Sequence, residues 1–266
     1  MILLNSREVG DTLVCMPVIH ALGASVHVDL AAEIEVGVFT TAWSRCLQVS
    51  QAGDGNPVDA DPGGAGGLAT IQGDGSMTQV TQAITRQLIA ERRGELLMLH
   101  AGAVCHPDTG SSIAYAAPGG TGKTTLTRVL GRRYGYLTDE TVGIEPRTWE
   151  IKPYPKPLST RTAEGGYPKS ELGPDELGLV RAHPHPRLTT LAILRRTPGR
   201  DCARISRFDL FDAITALVPE TSSLPAMDRP LHLLADLHDE LDGVWLLEFG
   251  EAEQLTDWID DQLAAS

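Results

Sequence analysis

Apolar positions along the chain alternate between two periods, and the changes of period mark its elements. In "MTQVTQAITRQLIAERRG", Val80, Ile84, Leu88 and Ile89 share one helical face and Gly94 closes the helix. "LLMLHAGAV" is a nearly continuous apolar run, predicting a buried strand. "PDTG" predicts a turn and "SIAYAA" a second strand. A helix over about 122–133 carries Leu126, Val129 and Leu130 and breaks at Gly135, where "YLTDE" opens another strand. "TVGIE" and "TWEIKPY" predict a hairpin around Pro146-Arg147, and "LTTLAILRR" and "GVWLLEFG" further strands. "DLFDAITAL", "RPLHLLADLHDEL" and "EAEQLTDWIDDQLAA" predict helices.

The front of the chain is less periodic. "MILLNS", "VHVDLAA" and "VGVFTTAW" predict strands of a small sheet, with a short helix near Val18–Leu22. Residues 52–67, dense in Gly, Pro and Asp, predict a long loop, and residues 155–187 are expected to be mostly loop. No internal repeat is present. The pattern predicts an α/β class, with a strand-rich lobe and linking helix over 1–94 and a larger unit over 95–266.

Composition narrows the partners. The chain has 266 residues, 42% of them hydrophobic, and a formal charge of −13. That balance disfavours duplex nucleic acid and anionic membrane, so neither is expected. Cys15, Cys46, Cys105 and Cys202 form no C-x-x-C pair. Reduced thiols, no signal peptide and no apolar stretch approaching about 20 residues predict a cytoplasmic protein. His183 and His185 in "HPHP" lack further ligands and read as a loop feature. Arginine outnumbers lysine eighteen to four, and three of the lysines, Lys152, Lys156 and Lys169, fall in one short segment.

The chemistry starts at "AAPGGTGKTTL", Ala116–Leu126. A phosphate-binding loop needs a strand end, a tight turn of small residues and a helix start. Backbone N–H groups and the helix N-terminus then converge on phosphate oxygens. Gly119, Gly120, Thr121 and Gly122 supply the turn. Lys123 is placed for the β- and γ-phosphates, Thr124 for Mg²⁺, and Thr125 follows in the first helical turn. Ala117 stands where glycine is commoner.

Transfer of a phosphoryl group needs more: a carboxylate for the metal, a group to orient or deprotonate the nucleophile, and positive charge. Asp139 lies only sixteen residues past Lys123, with Glu140 next to it, at the end of the next strand, which sets both near a γ-phosphate. The plain alternative is an acidic turn between strands. His100, inside an apolar strand that precedes the loop's own strand, is either structural or catalytic. The segment "KPYPKPLSTR" offers Lys152, Lys156 and Arg161 to clamp a γ-phosphate or an acidic acceptor group, or forms a solvated loop.

The series "LHAGAV", "APGGTGKTTL" and "YLTDETVGI" resembles the HPr kinase/phosphorylase superfamily, whose core is shared with PEP carboxykinases, over about residues 96–160. The resemblance implies a P-loop kinase core and a kinase that uses ATP and Mg²⁺. His100 would lie beside the transferred phosphate, and Lys123 and Thr124 would bind phosphates and metal. Asp139 would help hold Mg²⁺, and Glu140 would act as base towards a serine hydroxyl. The family pairs two aspartates where this chain has Asp139-Glu140, and the Glu-Arg-Gly signature of true HPr kinases is not found downstream. The likeness is nearest to stand-alone serine kinases such as those acting on lasso-peptide precursors. It implies as acceptor a serine of a peptide or protein, or a small hydroxyl metabolite, and allows a homo-oligomer. A nucleotide-binding regulatory module without transferase activity is the rival reading.

Overall fold

The structure, a computed structural model, describes residues 5–9, 12–47, 69–73, 75–160 and 170–264. The expected loop at 52–67 and Arg161 lie outside the described residues.

In chain order the first strands are β1 (Asn5–Val9), β2 (Thr12–Met16), β3 (Val18–Ala21) and β4 (Ala24–Leu30). Helix α1 (Val36–Ala42), strand β5 (Thr70–Gly73) and helix α2 (Met77–Glu91) follow. β1 and β2 form an antiparallel pair, and β3, β4 and β5 form a separate sheet in that order. Two expectations are corrected here. Val18–Ala21 is a strand rather than a short helix, because Ile19 and Ala21 are buried and His20 is exposed, a period of two. "VGVFTTAW" is a helix rather than a strand. Phe39, Ala42, Trp43 and Cys46 are buried at spacings of three and four, while Val36 and Val38 face out. Tertiary burial overrides the β-branched composition of that segment.

The remaining strands are β6 (Leu97–Cys105), β7 (Ser111–Ala116), β8 (Gly135–Thr138), β9 (Thr141–Ile144), β10 (Ile151–Lys152), β11 (Leu158–Thr160), β12 (Ser170–Leu172), β13 (Arg187–Arg196), β14 (Arg204–Phe208), β15 (Thr221–Ser222) and β16 (Val244–Phe249). The helices are α3 (Lys123–Leu130), α4 (Leu210–Leu217), α5 (Pro230–Glu240) and α6 (Thr256–Ala264). The principal sheet runs β10-β9-β6-β7-β13-β16-β14, with β8 and β15 also paired to β6. It is mixed: β13 is parallel to β7 and β16, and the other pairs are antiparallel. The hairpin around Pro146-Arg147 is present as β9 and β10. Strand β14 and the short pair β11-β12, within the segment expected to be mostly loop, were not anticipated.

Strand β6 organises the molecule, because its two faces meet different layers. Leu97, Leu99, Ala101, Ala103 and Cys105 pack into one cluster with residues of α4 and α5. On the opposite face Met98 joins a cluster built from α1, α2, β3 and β4. Val104 joins another, with Leu126 and Leu130 of α3 and Ile259 and Leu263 of α6. The alternation sets His100 and Gly102 on this second face, between the two clusters. A Cβ on Gly102 would lie 2.4 Å from Tyr115 Cε2 and 2.7 Å from Thr127 Oγ1, so glycine is what lets α3 cross there.

Candidate active site

The edges of β6 decide what faces His100. On one edge β9 pairs with Leu97–His100, and β8 then pairs with Ala103–Cys105. Asp139 and Glu140 occupy the break between β8 and β9, and the Glu140 carbonyl accepts from the Ala101 N–H at 3.1 Å. On the other edge β7 runs to Ala116, opposite Ala101, and β15 pairs with Leu99 and Met98. The loop 117–122 therefore leaves the sheet one strand away from the acid pair.

The loop is a strand-to-helix turn with open space above it. Gly120 and Gly122 have φ of +84° and +110°, a region costly for other residues. A Cβ at Gly119, Gly120 or Gly122 would meet no atom within 4 Å. Thr121 closes the turn, its Oγ1 donating to the Pro118 carbonyl at 2.9 Å. Ala117 is fully buried with Ile113, Tyr115 and Leu126, so its methyl fills core volume that glycine would leave empty. Lys123 is buried, and its Nζ donates to the carbonyls of Ala117 and, at 3.3 Å, Pro118. Thr125 is exposed in the first turn of α3.

Asp139 is held on every side. Oδ2 accepts from Thr124 Oγ1 at 2.8 Å, and Oδ1 accepts from Tyr136 Oη at 3.2 Å. Lys156 Nζ lies 2.9 Å from Asp139 Oδ1 and 3.2 Å from Glu140 Oε2, and donates to the Pro157 carbonyl at 3.0 Å. Lys156 is 3% exposed, so all three of its protons are spent inside the protein. Burial alone would push its ammonium down, but Asp139 and Glu140 outweigh that and hold it above the usual lysine range. Its role in this geometry is to hold the two acids, which differs from the expected phosphate clamp. Lys152 pairs with Glu150 at 3.1 Å on strand β10, with no hydrogen bond or ion pair to the loop or the acids among the described residues.

Glu140 differs from its neighbour. It makes one ion pair, keeps a third of its side chain exposed and lines a cavity of about 440 Å³. His100 lines the same cavity, with Thr85, Arg86 and Ile89 of α2 and Glu220. Burial, then Lys123, lowers the His100 pKa below its ordinary 6.5, against the opposing pull of Glu220 and Glu140. Burial likewise lowers the Lys123 pKa, opposed by Glu220, Asp139 and Glu140.

The Thr124–Asp139 pair suits Mg²⁺. Two ligands of an octahedral ion at about 2.0–2.1 Å stand about 2.9 Å apart on neighbouring vertices, close to the observed 2.8 Å. Among the described residues no group of three or more His, Cys, Asp or Glu could hold a metal. One carboxylate and one hydroxyl match an ion that completes its shell with phosphate oxygens and water.

Glu220 and Tyr136 were not anticipated. Glu220 lies eighty residues past the acids, in "LVPETSS", and reaches the site only because β15 pairs with β6. Tyr136 sits in the apolar stretch of β8, and only its position three residues before Asp139 hints at the contact.

No protein-family model matches the chain, and comparison with curated proteins finds no significant match. Among the described residues no helix is long and apolar enough to cross a membrane.

Proposed function

We propose that this chain is an ATP- and Mg²⁺-dependent kinase that transfers the γ-phosphoryl group to an alcohol hydroxyl. The acceptor is a serine of a peptide or protein, or a small hydroxyl metabolite. The principal sheet would be a P-loop kinase core of the HPr kinase/PEP carboxykinase-like type. The observation that carries this reading is the hydrogen bond from Thr124 to Asp139, with Glu140 beside it opening onto a cavity. A loop that only sensed nucleotide would need no second carboxylate facing an empty space.

In this reading the loop N–H groups and Lys123 bind the phosphates, Lys123 leaving the carbonyls of Ala117 and Pro118 to do so. Mg²⁺, when bound by Thr124 and Asp139, supplies charge neutralisation at the phosphates. Asp139, oriented by Thr124, Tyr136 and Lys156, positions the metal and the loop. Glu140 takes the acceptor proton as the hydroxyl oxygen bonds to the γ-phosphorus and the β,γ-bridging oxygen departs with ADP. His100, held neutral by burial, hydrogen-bonds beside the transferred group.

Purified protein incubated with ATP, Mg²⁺ and candidate hydroxyl acceptors, co-encoded peptides first, is expected to add one phosphate to an acceptor by intact mass. ATP binding with no phosphorylated product would favour the rival reading, a regulatory nucleotide-binding module. The self-contained hold of Lys123 on its own loop is compatible with that rival.

A further inference from the structure

We propose that the cavity beside the acid pair is the acceptor pocket, and that Glu220 seats a positively charged group, an ammonium or guanidinium, carried by the acceptor near its hydroxyl. The inference rests on the kinase reading of the site.

Glu220 ends a 3-10 turn, Val218–Glu220, and precedes β15. In the antiparallel register Thr221 stands opposite Leu99, so one residue further sets Glu220 opposite His100. On the other edge of β6 the Glu140 carbonyl bonds to Ala101. Glu140 and Glu220 thus flank β6 on opposite edges near His100, and all three line one cavity.

Glu220 is 9% exposed, and its side chain makes no hydrogen bond or ion pair with any described residue. A buried carboxylate without a partner is costly, and the cations nearby are engaged elsewhere. Lys123 is held by two carbonyls, and Lys156 by Asp139, Glu140 and the Pro157 carbonyl. Arg86 also lines the cavity, but it is exposed and forms no ion pair with Glu220. The partner that Glu220 lacks is therefore one that a ligand can bring. Two strand spacings, about 9–10 Å, separate the backbones that carry Glu140 and Glu220. A hydroxyl at Glu140 and a cation at Glu220 then match a serine with a basic residue beside it, whose long side chain adds its reach to the about 3.3–3.6 Å of one extended residue.

The test uses two peptides of equal length, N-acetyl-Lys-Ser-amide and N-acetyl-norleucine-Ser-amide, titrated calorimetrically into the full chain with Mg²⁺ and a non-hydrolysable ATP analogue. The lysine peptide is expected to bind about tenfold or more tightly than its neutral counterpart. Glu220→Gln is expected to erase that preference. Glu220→Asp, which keeps the charge, is expected to retain part of it and guards against a folding defect in the first variant. Equal affinities, no binding of either peptide, or a preference that survives Glu220→Gln would overturn the proposal. Phosphoryl transfer, scored separately with ATP, distinguishes the two failures. Selective binding without transfer removes the kinase reading and leaves the cation seat, and transfer without selectivity does the reverse.

Discussion

Lys156 ties the acid pair together, and its surroundings explain why a lysine sits at full burial. Removing it leaves the buried Asp139 without its cation, next to the partly exposed Glu140. Lys156→Met is expected to destabilise the fold by about 3–5 kcal/mol, read from urea denaturation. His100 gives the pH dependence. Its folded pKa lies below the unfolded value of 6.5, so the unfolded chain takes up the proton first as pH falls. The stability it contributes is complete above about 6.5 and is lost as pH drops through the folded pKa. Stability measured from pH 7 to pH 5 is expected to fall, and His100→Gln is expected to flatten that slope. His20, also depressed by burial, accounts for some of the slope that remains.

At the scale of elements, two glycines separate folding from binding. Gly102 faces Tyr115 and Thr127, themselves hydrogen-bonded at 2.6 Å, so Gly102→Ala is expected to cost about 1–3 kcal/mol in thermal or chemical denaturation. Gly119 has open space above it and no positive φ. Gly119→Ala is expected to leave the melting temperature unchanged while weakening nucleotide binding, because the added methyl occupies the place a phosphate approaches. What could be read from the sequence follows the same division. The strand ending at Ala116, the loop and α3 are continuous in sequence, and so are Asp139 and Glu140, so local pattern sufficed for them. Helix α1 was misread because Val36, Val38, Thr40 and Thr41 resemble a strand, while the deciding fact, the burial of Phe39 and Trp43, depends on distant partners such as Tyr154. Lys156 was singled out by its rarity, but its burial against the acids depends on how the chain returns after β10. Glu220 carried no local signal at all, since β-pairing across 120 residues brings it to His100.

For the whole molecule, the layers packed on the two faces of β6 bring the glycine-rich loop, the acid pair and the cavity to one strand. Nucleotide binding should then stabilise the entire fold. Mg²⁺·ATP at a hundredfold excess over Kd is expected to add about 2.7 kcal/mol, seen as a rise in melting temperature. Lys123→Ala is expected to lose most of that rise. The central claim is that the site transfers a phosphoryl group and does not merely hold a nucleotide. Its most direct test is a parallel measurement of ATP affinity and phosphoryl transfer to a hydroxyl acceptor in the native protein and in Glu140→Gln. The account predicts comparable ATP affinity and a transfer rate lower by about 10²–10⁴-fold in the variant. Transfer by Glu140→Gln at the native rate, or a native protein that binds ATP and phosphorylates no hydroxyl, would contradict it.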